Sequence, residues 1–156
     1  MITVKLTTTE GQVKQMVAEA LSVARKKAIA VLAKAGQEAV NMARSHTEKS
    51  GNDWHDQTAN LRSSIGYLIC ENGVPLVEGE FKQEAPTATE GPSTGRSYAQ
   101  ELASSTHGLA LVVVAGMKYA VYVADKGYDV LSSAQILAKM RIPELFKGME
   151  EYDKNR

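Results

Sequence analysis

The sequence predicts an α+β protein, with two long amphipathic helices at the ends of the chain and four β-strands between them. Three observations carry this. Val13, Met16, Val17, Ala20, Leu21, Ala24, Ala28, Val31, Leu32, Ala35, Ala39, Val40 and Met42 recur at three- and four-residue spacing, one apolar stripe of a helix over about residues 8–45. Residues 64–124 hold alternating or short apolar runs separated by turn residues, the pattern of strands. Ile136, Leu137 and Met140 then restore helical spacing over about residues 131–150.

In chain order, Thr7 and Glu10 form a capping box that starts the first helix. Its length of about 37 residues would run roughly 55 Å, while a compact chain of this size has a radius of gyration of only about 15 Å. The helix therefore either breaks, with Gly36 as the candidate, or projects and packs on another subunit. Residues 46–60 are polar and turn-rich, a connector. Ser64–Glu71 is a strand, Asn72-Gly73 a two-residue turn and Val74–Lys82 the returning strand, with Pro75 marking an edge. An insert follows over about residues 83–106. Its first part, Glu84–Gly95, has two prolines and two glycines with almost nothing large to bury, and reads as a mobile loop. Ser97–Ser105 is a short helix. Gly108–Ala115 is the most apolar run and is expected at the centre of the sheet. Tyr119–Ala124 alternates, with Tyr119, Val121 and Val123 on one face and Ala120 and Tyr122 on the other, and pairs back as the fourth strand. Pro143 ends the last helix or starts a new turn.

A length of 156 residues suits a single domain, 1–156. With 44% hydrophobic and 23% charged residues, the composition excludes disordered and fibrous classes. The single cysteine, Cys70, excludes an intramolecular disulfide, and the apolar run Tyr67-Leu68-Ile69-Cys70 marks it as a buried thiol. No apolar run approaches the ~20 residues of a membrane span. Met1-Ile2-Thr3-Val4-Lys5 lacks the layout of a signal peptide, so the expected site of action is the cytoplasm, or a particle assembled there. The net charge is zero but uneven: +4 over residues 1–45, −5 over 46–106 and +1 over 107–156. A zero total argues against avid nucleic-acid binding. The opposed segments either meet between neighbouring copies or are ordinary solvated surface.

Candidate chemistry is sparse. His46, Asp53, His55 and Asp56 are the only cluster resembling metal ligands, and their spacing fits no zinc motif. On a polar connector such residues are more often plain surface. No Gly-x-Ser-x-Gly turn is present for a hydrolase. The expectation is a protein with no catalytic centre and no cofactor. Arg25-Lys26-Lys27 is the only basic triplet, opposite the apolar stripe, either a solvated face or a contact to another subunit.

Two segments carry the functional reading: Gln57-Thr58-Ala59-Asn60-Leu61-Arg62-Ser63-Ser64-Ile65-Gly66-Tyr67 and Lys118-Tyr119-Ala120-Val121-Tyr122-Val123. Together they resemble the signature of the phage head–tail joining (tail-completion, neck) family of long-tailed siphophages. There an Asp-Thr-Gly-x-Leu-Arg-x-Ser-Ile segment opens the sheet and a Tyr-Ala-x-Tyr-Val-Glu-x-Gly strand closes it. Thr58, Leu61, Arg62, Ser64 and Ile65 match the first pattern, and Tyr119, Ala120, Tyr122 and Val123 the second, with Gly127 one place after its glycine. Ala59 stands where the pattern has glycine, Asp125 stands one place after its acidic residue, and Tyr128-Asp129-Val130-Leu131 replaces a Pro-x-Pro-Phe-Leu ending.

The resemblance implies a curved four-stranded antiparallel sheet packed against the N-terminal and C-terminal helices. It implies a structural virion protein that forms a homo-oligomeric ring, made in the host cytoplasm and acting in the virion. Its partners would be itself, head-side connector or portal-associated proteins, and tail-tube or terminator proteins, with DNA only as passing cargo and no membrane. Arg62 is then an inter-subunit ion pair or loop anchor, or else a surface strand residue. One of Tyr119 and Tyr122 is core and the other a surface or interface aromatic. A tail terminator of related fold is an alternative. From another class, the alternative is a small metal-dependent enzyme using His46, Asp53, His55 and Asp56.

Overall fold

A capping box starts the chain's longest element, two residues later than expected. The Thr9 N–H donates to Gln12 Oε1 at 2.8 Å and the Gln12 N–H donates back to Thr9 Oγ1 at 3.3 Å, which satisfies two of the helix's orphan donors. The computed structural model describes residues 8–48 and 56–154, so the expected cap Thr7 lies outside the described residues. Helix α1 (Glu10–Glu48) runs unbroken for 39 residues, roughly 58 Å. Gly36 does not break it. A Cβ there would meet the Tyr67 ring at 2.8 Å and Leu111 Cδ1 at 2.9 Å, so the glycine lets the helix lie directly on the sheet. That closeness outweighs the roughly 1 kcal/mol by which glycine weakens a helix.

The sheet has three antiparallel strands in the order β2–β1–β3, not the four expected. They are β1 (Ile65–Glu71), β2 (Val74–Glu78) and β3 (Leu109–Ala115). Asn72 (φ 50°) and Gly73 (φ 82°) make the tight β1–β2 turn, the two left-handed positions that an Asn-Gly pair supplies. The centre is β1 rather than the more apolar β3. Ile65, Tyr67 and Ile69 face α1, while Leu68 and Cys70 face α3 (Gly91–Ser104) on the other side. A strand buried on both faces belongs in the middle of the sheet; β3 pairs with β1 alone.

The expected fourth strand, Tyr119–Ala124, is instead helix α4 (Ala120–Asp125). The chain leaves the sheet at Gly116, whose N–H donates to the Ser64 carbonyl at 3.2 Å, and the Ala120 N–H closes a turn on the Met117 carbonyl at 2.9 Å. Ala120 and Val123, three apart, then both enter the core, while Tyr119, Val121 and Tyr122 are exposed. Burial of that pair decides the conformation over the local β-propensity of tyrosine and valine.

The insert also differs from expectation. Residues Gly91–Gly95 are the first turns of α3, and Ala88 is fully buried. Asn60 Oδ1 accepts the N–H groups of Glu90 at 3.1 Å and Gly91 at 2.9 Å, so a side chain caps this helix from across the fold. The segment is held, not loose. Ala99 and Ala103 of α3 pack with Leu68, Cys70, Phe81 and Val114.

Helix α5 (Ser132–Lys154) passes through Pro143 without ending. Proline in a helix interior removes one hydrogen bond and costs about 3 kcal/mol, which the packing of α5 along α1 offsets. Arg141 grips Glu38 at 2.7 Å and Lys27 pairs with Asp153, which sets the two helices antiparallel. The cover of α5 stops there. Residues 8–26 of the chain stand exposed beyond it. No described helix is long and apolar enough to cross a membrane.

Candidate functional site

The two segments that carry the resemblance meet in space. Ala59 holds a left-handed conformation (φ 57°, ψ 15°) and turns the chain into the single helical turn α2 (Asn60–Ser63). The Arg62 N–H donates to Asp56 Oδ2 at 2.8 Å and closes this turn. Ser63 and Ser64 are fully buried. Ser63 Oγ accepts the Glu84 N–H at 2.9 Å. Ser64 Oγ donates to the Leu61 carbonyl at 2.8 Å and accepts the Met117 N–H at 3.3 Å. Thr87 Oγ1 donates to the Thr58 carbonyl at 3.0 Å. Tyr119 comes from the second segment and lies against Thr58 and Leu61. Burial, with Asp56 nearby, raises its phenol above the usual range against the opposing hydrogen bonds of those two residues.

Beside this hub lies a charge cluster. Arg44 of α1 donates through Nη2 to the carbonyls of Ile65 and Glu80, both at 2.9 Å, and its Nη1 meets Glu84 Oε1 at 3.4 Å. Arg62 Nε lies 4.0 Å from Glu84 Oε2, so one carboxylate sits between two guanidinium groups. Burial pushes the Arg44 guanidinium down from its usual value, opposed by Glu84 and Glu80, with Arg62 adding to the burial effect. Arginine stays charged regardless. Small residues let α3 press on the hub: a Cβ on Gly95 would fall 2.3 Å from the Ser64 carbonyl oxygen, and one on Gly116 2.5 Å from Gly95 Cα. The arrangement can tie four chain segments together. It places no base against either serine hydroxyl.

The other sequence-predicted residues are scattered. Arg25 is bound bidentately by Glu71 of its own chain, with Nη2–Oε2 at 2.6 Å and Nε–Oε1 at 3.2 Å. That contact raises the guanidinium and lowers the carboxyl from their usual values. Lys27 is bound by Asp153, while Lys26 is exposed. The acidic hairpin is likewise engaged within the chain, since Glu78 pairs with Arg96 and Glu84 with Arg44. The basic triplet is therefore not a ready contact for a neighbour's acidic hairpin. Tyr122 is exposed, with Lys126 Nζ 4.7 Å from its ring centre.

Of the four possible metal ligands, Asp53 and His55 lie outside the described residues. His46 Nδ1 contacts Asp129 Oδ2 at 2.9 Å, and Asp56 is turned to the Arg62 N–H. Among the described residues no three His, Cys, Asp or Glu side chains gather as a metal would require.

Arg44, Glu84 and Asn60 are the residues that sequence reasoning missed. One signal existed for Arg44: it sits on the stripe of α1, four residues after Val40 and three before Thr47, both buried. A charge at a buried stripe position needs a partner. Glu84 and Asn60 carry no such signal, because their partners are distant in sequence. Comparison of the chain with protein-family models, with curated proteins and with solved structures finds no match.

Proposed function

We propose that this protein is a structural component of a tailed phage or prophage particle, which joins or completes the tail at the head–tail interface as a homo-oligomeric ring. The residues of the two segments suggest the family, and one observation of the fold carries the reading. The first half of α1 projects with its apolar stripe bare: Val13 is 48%, Met16 64%, Val17 53% and Leu21 65% exposed. Contiguous exposed apolar surface of this kind marks a protein interaction site. The hub suits a rigid part rather than a catalyst, since the side chains of Ser63, Ser64 and Asn60 are turned on backbone groups. The partners of such a part are further copies of itself and the neighbouring connector and tail proteins.

Inactivating the gene in a phage or prophage that carries it tests the proposal. DNA-filled heads and separate tails, seen by electron microscopy, are the expected outcome. Joined, infectious particles without the protein overturn it.

A further inference from the structure

We propose that the groove between α5 and β3 receives the projecting half of α1, residues 10–24, from a second copy of this chain. The groove holds about 580 Å³. Leu32 of α1 with Leu111 and Val113 of β3 gives it an apolar floor, and Leu131, Ala138 and Ile142 an apolar wall, all partly exposed. Its polar members, Ser132, Gln135 and Lys139, are exposed and all lie on α5. The far side is open, since no described strand pairs with the outer edge of β3.

The arm has the matching face. Val13, Met16, Val17, Ala20 and Leu21 form its exposed apolar stripe, at the spacing of a helix that binds in an apolar groove. At about 100° per residue, Gln12, Gln15 and Glu19 follow one edge of that stripe, and Gln15 Nε2 donates to Glu19 Oε1 at 3.0 Å along it. Ser132, Gln135 and Lys139 step by the same three and four residues along the rim of the groove. Laid in the groove parallel to α5, the arm turns its glutamine edge to that rim. Glu19 then falls opposite Lys139, and Gln15 opposite Gln135. Neither Glu19 nor Lys139 has an ion-pair partner among the described residues. Laid the other way, the arm turns its opposite edge to the rim, where Glu10 and Lys14 already pair with each other at 2.7 Å.

The arm must come from another copy. Helix α1 is unbroken from Glu10 to Glu48, and Leu32, which lines the groove, lies ten residues beyond Ser22 on the same helix, about 15 Å along its axis. A continuous helix cannot fold its own arm back onto that groove. The lengths agree as well, since the rises from Ser132 to Ile142 and from Gln12 to Ser22 are each about 15 Å. Each copy gives an arm and receives one. Such a heterologous contact closes into a ring if the rotation between copies allows. The inference concerns how copies join and stands apart from what the assembly does.

Two measurements on the full chain test it. Met16→Gln together with Leu21→Gln keeps good helix formers on the arm and alters only side chains that are exposed in a single copy. Sedimentation should show a wild-type oligomer and self-association at least tenfold weaker in the double variant, with far-UV circular dichroism unchanged. Mixing Glu19→Cys chains with Lys139→Cys chains should give a disulfide between chains, since Cys70 is buried. Gln12→Cys mixed with Lys139→Cys should give none. A monomeric wild type, an oligomer unchanged by the double variant, or no cross-link between positions 19 and 139 overturns the proposal, as does a cross-link from position 12 instead. Glu19→Cys chains that bond only to one another would show paired arms and overturn it too. In the oligomeric cases a ring built on other contacts would survive, so this failure is distinct from failure of the particle reading.

Discussion

Ala59 is the one described residue besides Asn72 that is not glycine yet holds a left-handed backbone. A side chain in that region costs roughly 1–2 kcal/mol, and glycine would remove the strain. Against this, the Ala59 methyl is buried, worth about 0.8 kcal/mol, and glycine loses more backbone entropy on folding. The terms nearly cancel, so Ala59→Gly should change stability by less than about 1 kcal/mol. Ala59→Val, whose branched Cβ resists the conformation, should cost more than about 2 kcal/mol. Equal losses in chemical denaturation would show that packing, not backbone conformation, governs the position. Arg44 makes the stronger claim. Removing it leaves Glu84 and two carbonyls short of a buried cation, so Arg44→Ala should destabilise by about 3 kcal/mol. Arg44→Lys should recover only part of this, because an ammonium lacks the planar fork that spans Ile65 and Glu80. Full recovery by lysine would reduce the role of Arg44 to charge alone.

Helix ends and strand edges decide the next scale. Asp129 accepts the Ser133 N–H at 3.2 Å and the Ser133 hydroxyl, capping the first turn of α5, and it also meets His46 of α1. Burial alone would raise its carboxyl, but these hydrogen bonds outweigh burial and hold it below the usual value of 3.8. A carboxyl lowered on folding adds stability above its unfolded pKa and loses it as pH falls through the folded value. Asp129→Asn should therefore be less stable than wild type at pH 7, by roughly 1 kcal/mol, and the gap should close as pH falls through the carboxyl's lowered folded value. A gap that persists in acid would point to shape rather than charge. Elements with one strong period were legible in the sequence: α1 from its stripe, α5 from Ile136, Leu137 and Met140, and the hairpin from Asn72-Gly73. The Tyr119–Val123 run satisfies both alternation and the 120/123 spacing of a helix, and short apolar runs carry that ambiguity. The start of α3 escaped because it is held by Gly91, Gly95 and hydrogen bonds to Asn60, none of which raises hydrophobicity. Arg62 was legible through its segment; its companions Arg44 and Glu84 come from a helix and a loop that only the folded chain brings together.

At the scale of the molecule, the uneven charge of the sequence is largely consumed inside one copy. Arg25 with Glu71, Lys27 with Asp153 and Arg44 with Glu84 join the basic first segment to acidic partners elsewhere. The largest apolar surface left for other molecules is the bare half of α1, beside exposed charges such as Lys26. Association should accordingly change little between low and high salt, because screening acts on exposed charges and not on buried hydrocarbon. Sedimentation at 50 mM and 500 mM salt reads this directly, and an oligomer that dissociates at the higher salt would return the interface to ion pairs. The long helix has a mechanical side as well. It is clamped to α5 as far as Lys27 and to the sheet as far as Arg25, and then runs about 24 Å to Thr9 as a cantilever. A tilt of about 10° at the clamp swings the tip by about 4 Å, close to a strand spacing. The stiffness of the root at Arg25–Glu71 and Lys27–Asp153 thus sets how far apart two copies can sit while still touching through that arm.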